Sequence, residues 1–183
     1  MAQTFGHPDA SPALSGGLHI RLCDGSQHME WPQAGMTADF LGVFFADLAA
    51  AQGADGRSAR HAIGYLVNEL LENAIKFRVP GGAPVLVAGA LDEAGFVFEL
   101  HNEATPDVAS RFGPLLEELT SRDPGDLMIE RIEANAESGA NSGSGLGILT
   151  LMNDYSAEMG WIFGDEGASG TLDITTRVRL PLD

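Results

Sequence analysis

The sequence predicts an α+β fold, a two-layer sandwich in which a mixed, mainly antiparallel sheet carries its helices on one face. Three observations lead there. Residues 60–77, RHAIGYLVNELLENAIKF, set Ile63, Leu66, Val67, Leu70, Leu71, Ala74 and Ile75 on one arc at about 100° per residue, as a helix with one buried side requires. PVLVAGAL (84–91) and FVFELHN (96–102) are apolar runs separated by the turn-former DEAG, which reads as a hairpin. The order helix, helix, strand, strand, helical insertion, Gly loop, helix, strand, strand does not alternate as a doubly wound sheet would.

Taken in order, residues 1–16 are rich in Ala, Ser, Pro and Gly and read as a loose leader, with 17–183 as a single domain. GLHIRL (17–22) alternates like an edge strand. TADFLGVFFADLAAAQ from Thr37 is helical, with Thr37 as candidate N-cap and Phe40, Phe44 and Phe45, like Trp31, expected in the core. GADG (53–56) breaks that helix, Ser58 opens the next, and Pro80 with Gly81-Gly82 ends it. Residues 105–142 form a helical insertion, RFGPLLEELTS and LMIERIEANAES, divided at DPGD where Pro124 suits N1. NSGSGLG leads into a helix carrying Ile148, Leu151, Met152 and Tyr155 on one face. WIFGDEGASGTLDITTRVRL closes the chain as two strands around a Gly-rich turn.

Charge and cysteine content narrow the setting. Ten Lys and Arg against 26 Asp and Glu leave −16, which repels nucleic acid and anionic membrane surfaces. No uninterrupted apolar run approaches the ~18 residues of a membrane span. Cys23 is the sole cysteine, so no intrachain disulfide forms and a reducing cytoplasm is expected. The five histidines show no metal-ligand spacing, and no His-Glu pair of a phosphoacceptor helix occurs in residues 1–57.

Two stretches could carry chemistry. Opposite the apolar arc of 60–77, Glu69, Asn73 and Lys76 lie within about 60° of one another, an acid, an amide and a cation on one side. By spacing alone this is either a metal–phosphate site or a solvated face. Seventy positions beyond Asn73, Gly143, Gly145 and Gly147 form G-S-G-L-G at a helix start. No Lys-Ser/Thr follows, so it is not a Walker loop. Alternate glycines there let backbone N–H groups approach an anion.

Together, NELLENAIKF and GSGLGIL resemble the N box and second glycine box of the GHKL nucleotide-binding superfamily, over about residues 58–182. TADFLGVFFADL, LTSRDPGDLMIERIEANAE and SGSGLGILTLMNDYSAEMGW extend the resemblance to small stand-alone SiaB-like kinases of bacterial partner-switching pathways. The resemblance implies a Bergerat-type sandwich, with residues 105–142 as an ATP lid. It implies ATP and Mg²⁺ as cofactors, Asn73 as the metal ligand, Glu69 as general base and Lys76 offsetting phosphate charge. Gly143, Ser144, Gly145, Leu146 and Gly147 would cradle the phosphates. The implied activity is Ser/Thr phosphorylation of a STAS-type, anti-sigma-factor-antagonist-like partner; a homodimer is a further implied assembly. One departure stands out. The family's first glycine box, Asp-x-Gly-x-Gly, falls on ELHNEATPD, where Asn102 replaces the adenine-binding Asp and Ala104 the first Gly. An Asn carbonyl accepts without charge assistance, which predicts weakened adenine recognition. The alternative is an inactive relative that works by sequestering its partner.

Overall fold

The computed structural model describes residues 2–7, 17–22, 31–138, 145–167 and 169–182. Its strands are β1 (Gln3–Gly6), β2 (Leu18–Leu22), β3 (Val85–Asp92), β4 (Gly95–Ala104), β5 (Glu158–Glu166) and β6 (Leu172–Leu180). They form one sheet in the order β1-β5-β6-β4-β3-β2, and every pairing among them is antiparallel rather than mixed. The α+β class stands as read. Gln3–Gly6, read as part of a loose leader, instead pairs along β5 and sends Phe5 into the core, 5.3 Å edge-on to Phe163.

The helices are α1 (Trp31–Ala51), α2 (Gly56–Phe77), α3 (Pro106–Ser121), α4 (Pro124–Ser138) and α5 (Leu146–Asp154). α2 starts earlier than Ser58 because Asp55 caps it, accepting from the Arg57 N–H at 3.0 Å and the Ser58 hydroxyl at 2.9 Å. These same bonds hold the Asp55 carboxyl below its usual range, the Ser58 bond foremost. At α4, Pro124 follows Asp123, whose carboxylate accepts from the Asp126 N–H at 3.0 Å, as the Asp-Pro pair predicts. The β3–β4 hairpin closes through Asp92, which accepts from the Ala94 N–H, with Gly95 at φ +136°.

α2 buries Ile63, Leu66, Val67, Leu70 and Leu71 between the sheet and its neighbours, each contributing about 1.5–3 kcal/mol of apolar burial. α1 crosses it closely at a pair of glycines. A Cβ on Gly42 would stand 3.0 Å from the Arg60 carbonyl oxygen and 3.4 Å from the Gly64 Cα, so any side chain there forces the helices apart.

α1 departs from its sequence reading in three ways. It begins at Trp31, so Thr37 is internal and its hydroxyl donates to the Gln33 carbonyl at 2.8 Å. Of the four aromatics expected in the core only Phe45 is there; Trp31, Phe40 and Phe44 are exposed, because Ala34, Ala38, Leu41, Phe45 and Ala49 occupy the inward arc. With Asp39 and Asp47 its sole charges, α1 is also long and apolar enough to cross a bilayer by length and composition, although it packs on α2 here.

Candidate functional site

The alternation of β4 and β6 decides what lies under α2. Leu100, Thr176 and Trp161 stand in one cross-strand row facing the helices, and Asn102, Ile174 and Phe163 in the next. Asn102 therefore points into the sandwich, although its neighbours His101 and Glu103 face the other way. Its amide nitrogen donates to the Glu103 carbonyl at 3.3 Å, which leaves its carbonyl oxygen as the group that can accept from a ligand. Above it, α2 contributes Leu70, Asn73, Ala74 and Phe77 to the same cavity, so the structure brings Asn73 and Asn102 together.

That cavity measures about 40 Å³, room for a water or two and not for a purine. Its volume is taken by rings. Phe112 of α3 lies 6.5 Å from Phe77 and 6.1 Å from Phe163, both near parallel, and edge-on to Trp161 at 6.5 Å. Outside, Lys76, Phe77, Val108, Arg111, Phe112 and Leu115 line an open groove of about 290 Å³. Lys76 thus belongs to the groove and not to the inner cavity; its ammonium sits 5.1 Å from the Phe77 ring centroid.

Glu69 lies one turn before Asn73, where α2 meets α5. A Cβ on Gly147 would overlap the Glu69 Oε2 and lie 2.5 Å from its Cδ, so only glycine lets the carboxylate rest on the first turn of α5. Burial pushes the Glu69 carboxyl above its usual range, and the nearby Glu72 adds to the shift. A carboxyl raised in this way is suited to taking a proton near neutral pH.

α5 begins at Leu146 behind Gly145, which is left-handed at φ +97° and supplies no side-chain cap. Its first N–H groups and helix dipole therefore present an anion-binding end. Gly143 and Ser144 fall outside the described residues.

Four further residues complete the site and were not singled out from the sequence. Arg131 of α4 sets its Nη1 2.7 Å from where a Gly145 Cβ would be, and its Nη2 donates to Glu118 at 2.8 Å, which brings a cation from the insertion to the start of α5. No motif marks it. Thr176 is the single buried polar residue recorded among the described residues and lines the cavity with Asn102. Tyr65, one turn before Glu69 and in the same polar stripe, faces Thr150 of α5 and stacks on Tyr155 at 5.5 Å. Burial pushes the Tyr65 hydroxyl above its usual range, against the opposing effect of Thr150. The polar stripe was the available signal for Tyr65; Thr150 had none.

The donor set fits Mg²⁺ in its usual half-hydrated form: one amide oxygen, from Asn73, with a half-buried carboxylate a turn away. An all-protein cage is not what the site offers, since no group of three His, Cys, Asp or Glu side chains able to hold a metal occurs among the described residues.

No family model matches the sequence, and no curated protein matches it. Among solved structures, the fold matches a chain from the crystal structure of the SiaB-SiaC complex from Pseudomonas aeruginosa. The TM-score is 0.62 and the identity 16%, over 88% of this chain and 89% of that one. The chain has a SiaB-like fold, the architecture to which its sequence resemblance pointed.

Proposed function

We propose that this protein is an ATP- and Mg²⁺-dependent Ser/Thr protein kinase acting on a STAS-type regulator in a cytoplasmic partner-switching pathway. The observation that carries the reading is the contact between the Glu69 carboxylate and Gly147. It joins the base on α2 to the anion-binding end of α5. The matched chain comes from a complex of two proteins, which supports regulation through protein contacts.

Asn73 would hold Mg²⁺, which supplies charge neutralisation at the phosphates when bound. The α5 N–H groups orient the phosphate oxygens, and Arg131, released from Glu118, adds a positive charge there. A nucleotide, when bound, would supply the phosphoryl group, and Glu69 would accept the proton of the partner's Ser or Thr hydroxyl. Its raised affinity for protons favours this role. Asn102 receives the adenine amino group through its amide carbonyl, once Phe112 has moved aside.

The filled inner cavity favours a second reading, a catalytically inactive relative that regulates by sequestering its partner. One experiment separates the two. The protein is mixed with Mg-ATP and a candidate STAS protein, alongside Glu69→Ala and Asn73→Ala. Transfer by the wild type that both substitutions abolish supports the kinase. Stable partner binding without nucleotide, and no transfer, supports sequestration.

A further inference from the structure

A groove of about 580 Å³ opens at the start of α2, at the other end of the helix from Asn73 and Lys76. It is lined by Arg57, Ser58 and His61 of α2, by Asp154 and Tyr155 where α5 ends, and by Leu182 after β6. The groove lies on the same side of α2 as Glu69. At about 100° per residue, Ser58, His61, Tyr65 and Glu69 fall within about 80° of one another. Along that polar stripe His61 precedes Glu69 by about 12 Å and Arg57 precedes it by about 18 Å.

Tyr155 paves the interval. Its ring stacks on His61 at 6.5 Å and on Tyr65 at 5.5 Å, and its hydroxyl shares a 3.1 Å hydrogen bond with His61 Nδ1. Ser156, at φ +52°, turns the chain out of α5, and the Ala157 N–H donates to the Leu151 carbonyl at 2.9 Å, so the ring stands on a fixed turn. Charge narrows what the groove takes. In a chain of net charge −16, Arg57 is exposed and stands within ion-pair distance of no described carboxylate. Asp55 is committed to the α2 cap, and Asp154 accepts from the Asn153 amide at 2.7 Å. The groove therefore offers a cation at its far end and flat rings on the way to Glu69.

We infer that this groove docks the segment of the partner protein that carries the phosphoacceptor hydroxyl, with an acidic side chain of that segment on Arg57. The inference rests on the reading of Glu69 as the base. Asn73 and Lys76, assigned to metal and phosphate, lie on the C-terminal side of Glu69, so an in-line hydroxyl approaches from the N-terminal side, over Tyr65 and Tyr155. An extended chain rises about 3.3 Å per residue, which sets the acid on Arg57 about five residues from the hydroxyl at Glu69. A free anion would meet Arg57 but leave the rings unused.

The test is an NMR titration of the nitrogen-15-labelled full chain, without nucleotide, against short peptides that contain one Ser. Two of them carry a Glu about five residues before or after the Ser, and a third carries Lys at both places. One Glu peptide should shift the amides of residues 58–62 and 155–157 and bind about fivefold more tightly than the Lys peptide, the scale of one exposed ion pair. Arg57→Glu, an exposed substitution that leaves the circular dichroism spectrum unchanged, should reverse that preference. No shifts, shifts confined to other residues, equal binding of the Lys peptide, or the same shifts from inorganic phosphate would overturn the inference. In the phosphotransfer assay, transfer undiminished in Arg57→Glu would refute the groove and leave the kinase standing. Selective peptide binding with no transfer by the wild type would keep the groove and refute the base.

Discussion

The two ends of the cleft under α2 are built on opposite principles. Where α2 meets α5, polar groups sit against bare backbone: Glu69 on Gly147, Arg131 beside Gly145, and a helix start without a side-chain cap. Where α2 meets β4 and α3, Phe77, Phe112 and Trp161 fill the space, and Asn102 stands where the sequence resemblance implies an acid. One end is polar and the other is packed like a core. On the proposed reading, nucleotide affinity arises at the triphosphate, and a base enters only by displacing Phe112.

Perturbations of each end sharpen this contrast. The largest effect belongs to Glu69→Gln. Loss of a general base costs about 10²–10⁴-fold in phosphoryl transfer, read in single-turnover assays, while Mg-ATP still shifts the melting temperature. Gly147→Ala should act on the same group by steric force. Its Cβ displaces the carboxylate, lowering transfer comparably with little change in stability by denaturant unfolding, because the displaced atoms end a flexible side chain.

The aromatic end responds in the other direction. Phe112→Ala should lower stability by about 2–3 kcal/mol, less than for a fully buried ring, and yet tighten ATP binding in calorimetry because the cavity opens. Asn102→Asp restores charge assistance to the adenine contact and should strengthen ATP binding by about 1 kcal/mol, near fivefold.

The smallest effect is on pH dependence. Because burial and then Glu72 raise the Glu69 carboxyl, the folded state holds its proton at pH values where the unfolded chain has lost it. Stability therefore falls as pH climbs from the ordinary carboxylate value to the raised one, and remains lower beyond it. Glu69→Gln removes that loss and raises the melting temperature at neutral pH. Glu72→Gln moves the acid limb of the transfer rate to lower pH. An unchanged limb would place the proton acceptor elsewhere.

Much of this was legible in the sequence, for identifiable reasons. The α2 arc, the Pro124 start and the β3–β4 hairpin follow from local periodicity and turn chemistry, and the structure keeps them. Gln3–Gly6 was not legible as a strand because its partners on β5 lie 154 to 160 residues away and nothing local demands the pairing. α1 misled because apolar residues on every side leave no period to show which arc faces inward, so Phe40 and Phe44 read as core. Glu69, Asn73 and Asn102 were singled out through the resemblance to two boxes and a departure from a third, and the structure places Asn73 and Asn102 on one cavity. Arg131 and Phe112 did not, since an insertion helix reaches its neighbours by tertiary packing alone.

The claim that binding resides at the phosphate end is tested most directly by isothermal calorimetry of magnesium tripolyphosphate against adenosine on the wild-type protein. The account predicts that Mg-tripolyphosphate binds within about tenfold of Mg-ATP, a difference of 1.4 kcal/mol, and that adenosine gives no measurable heat. Adenosine binding with tripolyphosphate silent would contradict it.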